Sequence, residues 1–137
     1  MICDISINEL SRIKEIYESC HWQSYLNDDD KLIKAIQNSL DIQGYYLNNQ
    51  LIGFIRVVGD GQHIILIQDL IIHPSFQHQG YGSKLLHYIL EKYKDVRMIT
   101  LFTDADDVID NAFYKKHDFE LIIQKNMVSY IKKKQPH

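Results

Sequence analysis

Residues 64 to 103 constrain this chain more than any other stretch. An almost unbroken apolar run, Ile64-Ile65-Leu66-Ile67-Gln68-Asp69-Leu70-Ile71-Ile72, precedes Pro74 and the turn Gln77-His78-Gln79-Gly80-Tyr81-Gly82-Ser83-Lys84. The run has the character of a strand covered on both faces. Beyond the turn, Leu85, Leu86, Ile89, Leu90 and Tyr93 form the apolar stripe of a helix from Gly80 to Tyr93, and Met98 to Thr103 reads as another strand. Strand, helix, strand requires a crossover between parallel neighbours, which places the chain in the α/β class.

The flanking segments add elements to that unit. Ile7, Leu10, Ile13, Ile16 and Tyr17 recur at spacings of three and four and predict a first helix. Asn27-Asp28-Asp29-Asp30 offers caps for a second, with Leu32, Ile33, Ile36 and Leu40 on its inner side. Tyr45-Tyr46-Leu47 and Leu51 to Val58 read as strands joined by the tight turn Asn48-Asn49-Gln50, and Gly59-Asp60-Gly61 is the next turn. Asn111 to His117 is a short helix. Phe119-Glu120-Leu121-Ile122-Ile123 and Met127-Val128-Ser129-Tyr130-Ile131 are expected as two closing strands around Gln124-Lys125-Asn126. Ile2 to Ile5 offers a short first strand. No repeat or linker interrupts the 137 residues, so a single domain over 1–137 is expected, one that buries roughly two-thirds of its unfolded surface.

Composition then narrows the partners. Fifteen Lys and Arg stand against 18 Asp and Glu, and the net charge of -3 provides no pull toward nucleic acid or an anionic membrane. Lys132-Lys133-Lys134 is the only basic cluster and reads as a solvated tail. Cys3 and Cys20 have neither zinc-site spacing nor the density of a disulfide scaffold, so reduced thiols in a cytoplasm are expected. No apolar run reaches the roughly 18 to 20 residues of a membrane span, and the first residues lack the features of an export signal.

The glycine turn carries the chemistry. Amides in the first turn of a helix have no partner within it, the dipole is positive there, and glycines let an anion approach the backbone. A phosphate is the natural guest, although two glycines before a helix also serve purely structural ends. The nucleotide-binding P-loop is excluded because no Gly-Lys-Ser/Thr follows, and a dinucleotide fingerprint because a third glycine is missing.

Gln77-His78-Gln79-Gly80-Tyr81-Gly82 resembles the signature of the GNAT superfamily of acyl-CoA N-acyltransferases: Gln or Arg, two residues, Gly, one residue, Gly or Ala. Leu70-Ile71-Ile72-His73-Pro74 resembles the strand that precedes that signature, and Asn111-Ala112-Phe113-Tyr114-Lys115-Lys116-His117-Asp118-Phe119-Glu120 resembles a second block. The three blocks stand in the family's order. The resemblance implies an α+β mixed, mostly antiparallel sheet of about six to seven strands, flanked by helices and splayed around a CoA cleft. Asp118 departs from the pattern, standing where a glycine usually precedes the phenylalanine, but aspartate tolerates left-handed backbone.

The resemblance also implies roles. Acetyl-CoA would be the cofactor, its pyrophosphate cradled by Gln77, His78, Gln79, Gly80, Tyr81, Gly82 and Ser83, and its pantetheine arm paired with the backbone of Leu70, Ile71 and Ile72 and contacted by Asn111. With no arginine in the loop, positive charge for the phosphates would come from Lys84, Lys115 or Lys116. Amine acetylation needs a neutral nucleophile and a proton for the leaving thiolate. Tyr114 matches the family's acid, and its alternative is a core aromatic. Asp69 is the candidate base where the family often carries a bulge and an acidic residue; its alternatives are a structural carboxylate and a water chain. Trp22 and Tyr25, between the first two helices, are candidates for the acceptor pocket, with Asp28, Asp29 and Asp30 as weaker ones or simply caps.

His73, His78 and His117 fall in the turn, the loop and the short helix's exit, and none is expected as the base or in a metal site. The resulting expectation is an N-acetyltransferase acting by direct attack on a small-molecule or peptide amine, with a homodimer possible and no nucleic acid, membrane or metal involved. Its rivals are a non-catalytic CoA-binding sensor on the same fold and a purely structural interaction protein. The fold leaves the acceptor open.

Overall fold

The computed structural model describes residues 1–134. The chain divides into two compact units, Met1–Phe102 and a second that begins at Thr103. Among the described residues no helix is long and apolar enough to cross a membrane.

The first unit is a five-stranded sheet in sequence order: β1 (Ile2–Asp4), β2 (Asp41–Leu47), β3 (Gln50–Gly59), β4 (Ile64–Ile72) and β5 (Met98–Leu101). All neighbours are antiparallel except β4 and β5, the parallel pair that the crossover demands. Three helices accompany it: α1 (Leu10–Ser19), α2 (Asp29–Gln37) and α3 (Tyr81–Lys92), the crossover helix. The second unit contains α4 (Val108–Lys116). The α/β class and the mixed, mostly antiparallel sheet agree with the sequence reading.

Local chemistry accounts for most boundaries. Asp28 caps α2 by accepting the Lys31 amide at 3.1 Å, and Asp29 and Asp30 lie in the first turn, where the helix dipole favours negative charge. Asn48 and Asn49 take left-handed φ of 49° and 64°, the two-residue turn that matches strand twist. Asp60 Oδ1 accepts the amides of Gln62, His63 and Ile64 within 3.0 Å and so closes the β3–β4 turn. Those amides hold its carboxyl down at about 2.

Two bulges decide which residues face which layer. On β3, Tyr45 opposes Gly53 and Tyr46 opposes Leu51, so Ile52 is extra. On β4, Arg56 opposes Asp69 while Val57 opposes Ile67, so Gln68 is extra. An added residue inverts the alternation beyond it. Phe54 and Ile71 therefore join Ile13, Ile16, Tyr17, Leu32 and Ile36 in the core beneath α1 and α2. Ile65 and Ile67, before the bulge, lie outside that cluster and, like Leu85, Leu86 and Ile89 of α3, are buried.

The strand count is smaller than expected from the sequence, because neither 119–123 nor 127–131 forms a strand. Asp118 turns the chain in left-handed conformation (φ 68°), and Ile122–Lys125 coils into a 3-10 turn closed by Asn126 at φ 58°. Gln124 N to Leu121 O at 2.9 Å and Asn126 N to Ile123 O at 2.9 Å close that turn, which takes in Ile122 and Ile123 from the end of the first expected strand. A short apolar run satisfies helical and extended periodicity alike, and here local bonds decide.

Candidate active site

The bulge at Gln68 builds the first part of the site. By inverting the strand it turns Asp69 under α1, opposite Arg56, and both are nearly excluded from solvent at 2% and 5% exposure. Arg56 Nε donates to Asp69 Oδ2 at 2.7 Å, Tyr17 Oη donates to the same oxygen at 2.8 Å, and Tyr25 Oη donates to Oδ1 at 2.8 Å. Arg56 also reaches Ser39 Oγ at 3.2 Å and Tyr25 Oη at 3.3 Å. Burial, and then the Asp69 charge, raise the pKa values of Tyr17 and Tyr25. Burial works against the Arg56 charge, but Asp69 outweighs it and holds the guanidinium above its ordinary value.

Asp69, expected as the base, thus accepts hydrogen bonds at both oxygens from three groups of the protein. No buried side-chain nitrogen or oxygen among the described residues lacks a partner. Trp22 and Tyr25 lie where the sequence placed them, before α2, but as parts of a stack: Tyr17 is 4.4 Å from Tyr25 and 5.9 Å from Trp22, ring centre to ring centre. Asp28 caps α2, and Asp29 and Asp30 lie in its first turn, where Asp29 pairs with Lys14 at 2.8 Å.

The second part is the edge of β4. β5 pairs with Ile64 through Ile67 and stops, so among the described residues no strand covers that side of 68–72. The bulge and the end of this pairing coincide. Leu70, Ile71 and Ile72 lie along the bared edge, with Leu70 half-buried and the other two buried.

The third part is the loop after β4. Gln77 is exposed, but its side-chain amide turns back: Nε2 donates to Ile72 O at 2.8 Å and lies 3.7 Å from Cys20 Sγ, fastening the loop to the strand end. His73 Nδ1 accepts the Ser75 amide at 3.1 Å, a turn role. His78 and Gly80 both have left-handed backbone, at φ 63° and 88°, and His78, Gln79 and Gly80 are exposed. A Cβ built on Gly80 meets nothing within 4 Å, so the turn opens outward. The first bond of the α3 ladder runs from Lys84 N to Gly80 O, leaving the amides of Tyr81 and Gly82 outside it. Lys84 Nζ lies 5.6 Å above the Tyr81 ring and 5.9 Å above Tyr45, beside Ser83 in the first turn.

In the second unit, Asp107 caps α4 through the Asp110 amide at 2.8 Å. Asn111 Nδ2 donates to the carbonyls of Asp104 and Asp107 at 2.9 and 2.7 Å, tying the helix to the loop before it. Tyr114 packs edge-on against Phe119 at 5.8 Å. Burial, then the charges of Asp110 and Asp107, raise its pKa, so its hydroxyl keeps its proton. Lys115 and Lys116 are exposed in the last turn of α4, and His117 follows it.

A strand edge bared from a bulge onward, followed by an open glycine turn at a helix start, belongs to a recognisable class. The model of the acetyltransferase (GNAT) family matches residues 8–119. The chain belongs to that family. An uncharacterized N-acetyltransferase of Gracilaria tenuistipitata var. liui is 34% identical over 84% of this chain and 65% of its own length. Streptothricin acetyltransferase A of Bacillus subtilis is 27% identical over 77% of this chain and 62% of its own length. This GNAT chain therefore spans just under two-thirds of either relative. A solved GNAT acetyltransferase from Streptococcus pneumoniae TIGR4 superposes with a TM-score of 0.85 at 28% identity, over 99% of this chain and 98% of that one. An N-acetyltransferase from Thermoplasma acidophilum, solved in complex with coenzyme A, shares the fold at a TM-score of 0.65 and 19% identity, over 85% and 87% of the two chains.

Tested against a GNAT cofactor, the residues fit. The outward-opening Gly80 turn and the amides beside it suit a diphosphate, and the bared β4 edge suits an amide-bearing arm that pairs as a strand does. Sequence reasoning missed Arg56 and Tyr17. The signal for Arg56 was available, since it is the only charge between Leu51 and Val58 just as Asp69 is the only one between Ile64 and Ile72. Tyr17 carried no such mark, being one apolar position of a helix face.

Proposed function

We propose that this chain transfers an acetyl group from acetyl-CoA to a primary amine by direct attack within a ternary complex. The observation that carries the reading is that one strand bears both a bulge and a bared edge and ends in an outward-opening glycine turn at a helix start. The family match from residue 8 to 119 crosses the division between the two units and supports their acting as one domain over 1–137. Two free cysteines, Cys3 and Cys20, suit a reducing cytoplasm.

When bound, acetyl-CoA supplies an acyl carbon activated as a thioester. Backbone amides from His78 to Ser83 hold the diphosphate, with Gln77 fastening the loop behind them and Lys84 or Lys116 adding charge. The β4 edge at Leu70, Ile71 and Ile72 orients the arm, and Asn111 assists from α4. Tyr114 holds a proton at Oη for the departing sulphur, which suits a hydroxyl whose pKa is raised by burial. Trp22 and Tyr25 border the acceptor. Asp69, already bound by three donors, serves the chemistry by holding Tyr25, and water takes the amine's proton.

That same engagement of Asp69 favours one other reading, a non-catalytic CoA-binding module on this fold. Release of free thiol from acetyl-CoA separates the two. A panel of streptothricin, spermidine and a lysine-containing peptide is used, with Tyr114→Phe for comparison. Turnover that falls in the variant supports the transferase. Calorimetric binding of acetyl-CoA without turnover of any amine supports the module.

A further inference from the structure

The bulge residue itself has no role so far. Gln68 is exposed, yet its side chain is tethered: Nε2 lies 3.1 Å from Tyr25 Oη. It is the first residue past the end of β5 pairing, so it stands where the bared edge begins. The glycine turn follows the other end of that edge. An arm fastened at the turn and running back along Ile72, Ile71 and Leu70 arrives at Gln68.

The direction of the tether follows from counting protons. A tyrosine hydroxyl has one to donate, and Tyr25 donates it to Asp69 Oδ1 at 2.8 Å. Asp69 is a carboxylate opposite Arg56 and offers none in return. Toward Gln68, Tyr25 can therefore only accept, and the amide must present Nε2 inward. Its carbonyl, Oε1, is left facing away from the network. Arg56, Asp69 and Tyr25 thus fix the orientation of an exposed amide that would otherwise rotate freely.

We propose that Gln68 contacts the acceptor amine through Oε1, and that the Arg56–Asp69–Tyr25 chain is the positioning device that aims it. The assignment rests on the acetyl-transfer reading above. Its chemistry suits the reaction. A carbonyl accepts an N–H from an amine in either protonation state, whereas a carboxylate there would stabilise the ammonium form and oppose the loss of the proton that attack requires. The substrate class that follows is a primary amine recognised at nitrogen by a neutral oxygen, whose reactivity with pH tracks its own pKa.

Gln68→Leu and Gln68→Glu test this, with thiol release measured for whichever of streptothricin, spermidine and the lysine peptide turns over fastest. Gln68→Leu is expected to raise KM for the amine about tenfold, the loss of one hydrogen bond, with KM for acetyl-CoA and Tm unchanged. Tyr25→Phe is expected to raise the amine KM to a similar degree. The double variant should add nothing further, because both remove one contact. Gln68→Glu has no N–H to give Tyr25, whose own proton goes to Asp69, so it should lose the aim and raise the amine KM as Gln68→Leu does. An unchanged amine KM in Gln68→Leu, or additive effects in the double variant, would overturn the assignment while leaving the transferase intact. Thiol release from none of the three amines would overturn the transferase reading and the assignment with it.

Discussion

Arg56 Nε lies 2.7 Å from Asp69 Oδ2 across β3 and β4, and this pairing exists only because Gln68 is inserted between Asp69 and Ile67. Were β4 regular from Ile67 onward, Gln68 would oppose Arg56, and Asp69 would oppose Ile55 and point into the layer that receives Ile65 and Ile67. One inserted residue therefore sets both the electrostatics of the core and the position of the bared edge.

Breaking that pair should be far more damaging than replacing it. Asp69→Leu leaves a buried guanidinium uncompensated, as well as the hydroxyls of Tyr17 and Tyr25, and is expected to cost about 3 to 5 kcal/mol in urea unfolding. The double variant Arg56→Met/Asp69→Leu should recover a large part of that loss, because no charge is left buried. A double variant no more stable than Asp69→Leu would show that the tyrosine hydroxyls, and not the charge, dominate.

What could be read in advance follows from how local each feature is. The Asn48-Asn49 turn, the Asp28 cap and the left-handed Gly80 are written in neighbouring residues, and so were legible. The left-handed Asp118 was legible too, as a tolerated departure from glycine. The Arg56–Asp69 pair depends on register between two strands, which no single segment encodes. Residues 119–131 show the opposite case: their apolar alternation suggests strands, yet bonds from Leu121 and Ile123 to amides three residues on close a turn there.

Stability should fall at both ends of the pH range. Tyr17, Tyr25 and Tyr93 have native pKa values raised above the ordinary 10.0, chiefly by burial, and Tyr46 is pushed up to about 12. Above pH 10 the unfolded chain loses these protons while the native state keeps them, so stability declines as pH rises. Asp60 is held at about 2 by backbone amides. For Asp41, burial raises the pKa, but the bonds from Gln43, Lys92 and Tyr93 prevail and lower it. Stability from these carboxyls is present above about pH 4 and lost as pH falls through their native values. Urea midpoints from pH 2 to 11 test both limbs, and Tyr17→Phe should flatten the alkaline one.

Gly80→Ala isolates backbone conformation from space. The added methyl meets nothing within 4 Å, so the whole penalty comes from φ at 88°. It should be about 1 to 2 kcal/mol, with a smaller loss for Gly80→Asn, since asparagine visits this region more readily. Because the strain would be relieved by turning the neighbouring amides, calorimetric affinity for acetyl-CoA should fall along with Tm. Affinity that holds while Tm falls would remove the turn from the cofactor site.

Tyr114→Phe removes one oxygen and keeps the ring that packs edge-on against Phe119 at 5.8 Å, so the second unit should fold unchanged. If Oη supplies the proton to the departing sulphur, kcat should drop by about a hundredfold or more while KM for acetyl-CoA stays put. Burial and the charges of Asp110 and Asp107 raise the hydroxyl's pKa, which keeps it protonated across the range where an amine becomes neutral. The wild-type rate should accordingly climb with pH and show no fall near 10. A thiol-release profile that turns down below pH 10, or a variant with undiminished kcat, would assign the proton to water and leave Tyr114 as a packing residue.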